Sequence, residues 1–410
     1  MNLRRLAVLS VHSSPLAQPG AGDGGGMSVY VRALASALAR AGVECDVLVR
    51  RDHSNQPDSV EVEPGLRVIH LDAGPAHPVS KHDLIELVDP MMRATLDLVA
   101  SGVRYDAIHA NYWLSGAVGH RLKHELDLPL VAIFHTLARV KADAGIDDDP
   151  ELRARIEHEI VNCADLMLAS TAAERDQLEL LYAASPDRIE IVPPGVDHEI
   201  FHAVAPRRRD AERRSLGLGD EPVLLFAGRI QPLKGADLAV QAFAELSDET
   251  ATLLVVGGPS GPDGDGELDR LHELAAKLGV TERVRFVPPQ AHADLARYYR
   301  AVDVCLVPSH SESFGLVALE AAACGTPVVA AGVGGLVSLV DDGVTGFLVD
   351  SRDPADFAAP IERLLADPAA AHAMGITAEA RSRRYGWSMT AARLRRLYID
   401  LLAREPVSCR

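Results

Sequence analysis

Ser309-His-Ser-Glu-Ser-Phe-Gly-Leu-Val-Ala-Leu-Glu320 is the stretch that decides the fold. The apolar run Val304-Cys-Leu-Val307 precedes it, and an Ala-rich apolar run from Leu316 to Ala323 follows. The pattern predicts strand, polar turn, helix. Ser311 or Ser313 is expected to cap the helix, and Gly315 to let a ligand approach its first turn. The first amides of such a helix lack intrahelical partners and sit at its positive end, which suits an anion. Glu312 lies before the helix and Glu320 within it. Carboxylates cannot hold the anion, but they can accept hydrogen bonds from hydroxyls on either side of it. Sugar, diphosphate and ribose in series, a nucleotide sugar, meet that description.

Glu312-Ser-Phe-Gly-Leu-Val-Ala-Leu-Glu320 resembles the E-x7-E motif of retaining glycosyltransferases with the GT-B fold, family 4 type, which include sucrose-phosphate synthase. Two solvated glutamates at an ordinary helix start would give the same letters, so the rest of the chain has to agree.

At 410 residues the chain is long enough for two or three domains. A formal net charge of −17 argues against nucleic acid or an anionic membrane as a general partner. Five dispersed cysteines, with no C-x-x-C, read as reduced and mostly buried, which points to the cytoplasm. No run approaches the ~20 apolar residues of a membrane span, and the N-terminus reads as a first strand rather than a signal peptide.

Strand and helix signals alternate from Leu6 to Ser170 and again from Val223 to Val349. Such alternation predicts α/β architecture: two Rossmann-like, doubly wound domains facing a central cleft. Expected boundaries are 1–200 for an acceptor-side domain, 201–385 for a nucleotide-sugar domain, and 386–410 for a helix returning to the first. The arginines at 207–209 and 213–214 read as solvated surface. Gly24-Gly25-Gly26 before a helix outlines a phosphate loop without the spacing of the dinucleotide fingerprint, which argues against a dehydrogenase.

Gly228-Arg-Ile-Gln-Pro-Leu-Lys-Gly235 follows a strand. Its Arg229 and Lys234 are candidates to neutralise a leaving diphosphate, since fixed cations aimed at developing charge are often the largest catalytic term. Gly-Arg-x4-Lys-Gly also matches the diphosphate loop of the same family. Together with residues 12–31, Lys81, Tyr112-Trp-Leu-Ser-Gly116 and His135-Thr136, it is similar to the D-inositol-3-phosphate glycosyltransferases of mycothiol synthesis, a group within that family. The resemblance covers nearly the whole chain.

What the resemblance implies can be set out residue by residue. His135, Arg229, Lys234 and Glu312 would carry catalysis. Gln18, Pro19, Gly26, Gln290, Phe314, Gly315, Leu316 and Glu320 would join them in holding the donor. His12, Asp23, Gly24, Gly25, Met27, Ser28, Lys81, Tyr112, Thr136 and Arg153 would hold the acceptor. The donor would be a UDP-sugar, UDP-N-acetylglucosamine first. The acceptor would be small, polar and phosphorylated, 1D-myo-inositol 3-phosphate first, and transfer would retain the anomeric configuration. No metal site or cofactor is expected for the chemistry, because no Asp-x-Asp abuts a predicted strand end; Mg2+ would enter only as a structural or assay ion. A homodimer is expected by resemblance.

Ser28, His82 and Gln290 depart from the pattern, where relatives tend to carry Asn, Tyr and Arg. They leave diphosphate binding intact and open the acceptor and, to a lesser degree, the donor sugar. An aminocyclitol or thiol acceptor of a natural-product pathway, or a sucrose-phosphate-synthase-like reaction, remain alternatives. A nucleotide-sugar epimerase or hydrolase is a more distant one.

Overall fold

The computed structural model describes residues 3–20, 22, 24–79, 83–143, 150–260 and 264–409. The chain forms two compact units. One comprises residues 1–17, 26–195 and 387–410; the other comprises 18–25 and 196–386. The boundaries therefore fall at 195 and 386 rather than 200 and 385. The short loop Gln18–Gly25, which the sequence placed with the first domain, belongs to the second unit.

The first unit is built on eight strands: β1 (Arg5–Leu9), β2 (Glu44–Arg50), β3 (Ser59–Glu63), β4 (Leu66–Leu71), β5 (Ala107–Asn111), β6 (Leu130–Ile133), β7 (Leu166–Ala169) and β8 (Ile189–Ile191). Their order is β3-β4-β2-β1-β5-β6-β7-β8. All pairings are parallel except β3 with β4. Short apolar runs such as Leu130–Ile133 suit strands covered on both faces, and every residue of that strand is buried. Edge strand β3 (Ser-Val-Glu-Val-Glu) has no such run, which hid it in the sequence. The helix Tyr112–Leu126 packs close because Gly116 is bare: a Cβ there would lie 2.7 Å from Ile160 Cδ1.

The final helix, Trp387–Leu402, belongs to this unit and lies along the helix Gly26–Arg40, with the Tyr30 and Trp387 rings 5.6 Å apart. Tyr398 reaches the sheet through a 2.5 Å contact with His109 Nδ1. Cys163 and Cys409 are joined as a disulfide, whereas the sequence reading left all cysteines reduced; Cys45, Cys305 and Cys324 are free and buried. The pairing was hidden by a separation of 246 residues.

The second unit carries β9 (Val223–Ala227), β10 (Thr252–Val256), β11 (Val284–Val287), β12 (Val304–Val307), β13 (Val328–Ala331) and β14 (Gly346–Val349). They form one parallel sheet in the order β11-β10-β9-β12-β13-β14. The order reverses between β9 and β12, which places a crevice outside their carboxyl ends. In the helix Pro206–Ser215, Arg207, Arg208 and Arg214 are exposed, as a solvated surface requires, but Arg213 departs from that reading. Arg213 is buried, donating to the carbonyls of Ala301, Gly219 and Glu221. Asp303 receives both Arg209 and Arg213. Besides two nearby carbonyls, the Ala301 carbonyl and the Asp303 carboxylate, 88 and 90 residues on, satisfy this charge, and local composition does not show them.

Among the described residues, no helix is long and apolar enough to cross a membrane.

Candidate functional site

In the second unit, the loops after β9 and β12 leave the sheet side by side at the point where strand order reverses. Main chain ties them together: His310 N donates to Leu233 O at 2.9 Å. Gly235, at φ +69°, ends the first loop, and a Cβ there would strike the Pro308 carbonyl at 2.2 Å. Only glycine fits that backbone and that gap. Lys234 is thereby carried to Glu312, with Nζ 2.6 Å from Oε2 and both side chains mostly covered.

The helix Leu316–Ala323 begins at Gly315, whose φ is +106° and which offers no side-chain cap. The N-cap position thus falls to Gly315 rather than to Ser311 or Ser313, and a left-handed glycine turns the chain into the helix. Phe314 is buried, its ring 5.8 Å from that of Tyr385. Glu320 is buried too: Oε1 lies 2.7 Å from His292 Nε2, and Oε2 accepts from Tyr299 Oη at 3.0 Å. Burial alone would lower the His292 pKa, but the Glu320 charge and hydrogen bond outweigh it, and the net shift is upward. A carboxylate oxygen has two lone-pair directions, so each oxygen can still accept one more hydrogen bond.

Arg229 donates to Ser260 Oγ at 3.3 Å, and Ser260 Oγ donates to the Gly22 carbonyl at 2.7 Å. Gly25, which the resemblance put among acceptor residues, lies against this guanidinium; a Cβ there would sit 2.9 Å from Arg229 Nε. Gln18 Nε2 donates to Gln290 O at 2.6 Å, and Gly258 N to Gly20 O at 2.9 Å. The loop holding Gln18, Pro19 and Gly24 is thus fastened onto the second sheet's loops.

The first unit gathers another set at the carboxyl ends of β1, β5 and β6. Tyr112 and His135 follow β5 and β6 with φ of +76° and +59°. Left-handed backbone at two bulky residues costs of order 1–3 kcal/mol each and tends to cluster at functional sites. Arg153 ties the set together. Its guanidinium donates to Tyr112 Oη at 3.2 Å and to Thr136 Oγ1 at 3.1 Å, and lies 4.8 Å from the Tyr112 ring centre. Its Nε donates to Glu157 Oε1 at 2.7 Å. Glu157 is fully buried and also receives Ala138 N and Tyr182 Oη, so it holds the arginine in one orientation. The His12 ring stacks 4.3 Å from that of Tyr112.

His135 Nε2 lies 3.1 Å from Asn111 Oδ1, and Asn111 Nδ2 donates to Leu9 O at 3.3 Å, which fixes the amide's orientation. The His135 proton therefore belongs on Nε2. Burial, then the neighbouring His109 and His12, pushes its pKa down to about 3. The imidazole is neutral at physiological pH and can serve as a hydrogen-bond partner, but not as a cation.

Gly26 and Met27 open the helix Gly26–Arg40. Ser28 is buried, with Oγ 2.6 Å from Ser13 Oγ. Asp23, Lys81 and His82 lie outside the described residues. The sequence reading missed Glu157, His292, Tyr299 and Ser260. Only Glu157 left a local trace, as the i+4 partner of Arg153 on one helix.

Residues 25–195 match the family model for a glycosyl transferase 4-like domain, and residues 208–381 match that for glycosyl transferases group 1. A D-inositol 3-phosphate glycosyltransferase of Kineococcus radiotolerans is 48% identical over 95% of this chain and 94% of its own. One of Xylanimonas cellulosilytica is 47% identical over 98% of each. The solved sucrose-phosphate synthase of Thermosynechococcus elongatus superposes with a TM-score of 0.90 at 36% identity, over 98% of this chain and 99% of that one. HepE of Anabaena, solved with UDP-glucose, shares the fold with a TM-score of 0.78 at 21% identity, over 97% and 99%.

Proposed function

The chain belongs to the GT-B glycosyltransferase family that includes the D-inositol 3-phosphate glycosyltransferases, and from that premise we propose that it moves N-acetylglucosamine from its UDP donor to 1D-myo-inositol 3-phosphate. The identity to relatives of that name along nearly the full chain carries the reading of the acceptor.

On this reading the second unit takes the donor. Arg229 and Lys234 hold the diphosphate, and the first turn of the helix Leu316–Ala323 adds its unpaired amides. Glu312 accepts from sugar hydroxyls and Glu320 from ribose hydroxyls. The glycosidic bond from C1 to the diphosphate breaks while the acceptor oxygen bonds to C1 on the same face. The acceptor hydroxyl's proton passes to the departing phosphate oxygen, so the configuration is retained without an enzyme nucleophile. Negative charge grows on the diphosphate as the bond breaks, and fixed cations stabilise that charge more than the ground state. The chemistry is read as needing no metal ion.

The first unit takes the acceptor. Arg153, Tyr112 and Thr136 converge as a guanidinium, a phenol and a hydroxyl, a donor set suited to a phosphate. Glu157 offsets the arginine's charge but fixes its donors. Lys81 would complete the pocket. Neutral His135 would offer a hydrogen bond to the transferred sugar.

A second reading is favoured by the 36% identity to a sucrose-phosphate synthase: the same pocket with a different phosphorylated acceptor. The deciding experiment follows UDP release from UDP-N-acetylglucosamine with and without 1D-myo-inositol 3-phosphate, with mass analysis of the product. Release that depends on the acceptor, with the conjugate formed, is expected. Release without acceptor would make the chain a hydrolase, and release only with other phosphorylated acceptors would overturn the substrate.

A further inference from the structure

Four side chains of the first unit, none of them used above, meet at one edge of it. His120 and His124 lie four residues apart on the helix Tyr112–Leu126, and so on one face. Cys163 closes the helix Pro150–Cys163, and Cys409 lies beyond the last helix. Their nitrogen and sulphur atoms all fall within 4.8 Å of one another. His124 Nε2 is 3.4 Å from Cys163 Sγ and 3.4 Å from Cys409 Sγ.

We propose that, with Cys163 and Cys409 reduced, these four residues bind one soft divalent cation of the Zn2+ class. Two thiolates and two neutral imidazoles form a ligand set that favours tetrahedral Zn2+. With Zn–S near 2.3 Å and Zn–N near 2.0–2.1 Å, tetrahedral angles put sulphur and nitrogen about 3.6 Å apart. The two His124–sulphur distances are close to that. The cysteine Cα atoms are 5.1 Å apart, which leaves both reduced sulphurs within reach of one point.

The surroundings support the site. Asp165 accepts from Val407 N at 2.6 Å and from Lys123 Nζ at 2.8 Å, and Lys123 also donates to the Cys163 carbonyl at 2.8 Å. That arrangement holds the C-terminal segment where Cys409 reaches the histidines without help from the disulfide. The disulfide seen here is the competing state, because oxidised sulphurs are poor ligands. A bound cation would fasten the C-terminal segment to the two helices in its place.

The test uses the full chain, reduced with a phosphine and exchanged into metal-free buffer. Titration with Co2+ should give thiolate-to-cobalt bands in the near ultraviolet and tetrahedral bands in the visible, complete at one equivalent and bleached by Zn2+. The other cysteines, Cys45, Cys305 and Cys324, are buried and none joins the cluster, so Cys324→Ser should leave the bands unchanged. Cys409→Ser and His124→Ala should each remove or collapse them. His124 is exposed and Cys409 lies on a terminal segment, so both variants should fold, as melting curves would show. A reduced chain that shows no thiolate bands, or uptake equal to wild type in the Cys163→Ser/Cys409→Ser variant, overturns the site.

Discussion

Lys234 Nζ lies 2.6 Å from Glu312 Oε2, joining the residue proposed to hold the diphosphate with the one proposed to hold the sugar. The two side chains keep 25% and 18% of their surface, so each charge can still turn to a ligand. Lys234→Ala removes the cation on which the leaving group depends. Turnover should fall by about 10²–10³, the usual loss for one such group. The melting temperature should hardly move, because a partly exposed pair contributes about 0–1 kcal/mol. Turnover within tenfold of wild type would remove Lys234 from the chemistry.

Glu320 keeps His292 protonated to higher pH than burial alone would allow. In Glu320→Gln the charge goes and burial remains, so the His292 midpoint should drop below the ordinary histidine value. NMR titration of its ring protons reads this directly. The sign for stability follows. The raised pKa contributes stability below about pH 6.5, and that contribution is lost as pH rises through the folded value. The variant should lose this pH-dependent contribution and bind UDP more weakly. Unchanged UDP affinity would count against the ribose assignment.

Arg153 and Glu157 form a buried pair at 2.7 Å. Arg153→Ala leaves the buried Glu157 carboxylate without its counter-charge, and should cost about 3–5 kcal/mol. Arg153→Met with Glu157→Gln removes both charges and should recover most of that stability. It should not recover the KM for a phosphorylated acceptor, while the donor KM stays near wild type. Recovery of both would reduce Arg153 to a structural role.

How much of this was legible in the sequence depends on distance along the chain. The loop 228–235 could be placed because Arg229, Lys234 and Gly235 lie close together after a strand, and β9, β10, β12 and β14 could be read because their runs are almost wholly apolar. The Lys234–Glu312 pair spans 78 residues, and the Glu320–His292 contact spans 28. Only the sheet order, which sets β12 beside β9, brings the first pair together. Gly25 is expected beside a ligand and also lies against Arg229, and a glycine's missing side chain does not say which neighbour needs the space. The serines before Gly315 suggested the N-cap, and that position falls to a left-handed glycine.

Glu174 offers a prediction about stability alone. It sits in the first turn of the helix Ala172–Tyr182, where Thr171 Oγ1 accepts from Glu174 N and the Glu174 carboxylate accepts from Ser170 N at 2.7 Å. The arrangement resembles a capping box, except that the carboxylate reaches the amide one residue before the N-cap Thr171. Burial pushes the Glu174 pKa up to about 7, against the Ser170 hydrogen bonds that pull it down. An unfolded glutamate titrates near 4.3, so between about pH 4.3 and 7 the folded chain holds a proton that the unfolded chain releases. That stabilising contribution is complete below the lower value and lost as pH rises through the upper one. Glu174→Gln keeps the carbonyl acceptor and cannot titrate. Its melting temperature should vary less with pH across that window than the wild type's, and should match or exceed it at pH 8. A wild-type slope that persists unchanged in the variant would show that Glu174 is already ionised when the chain folds.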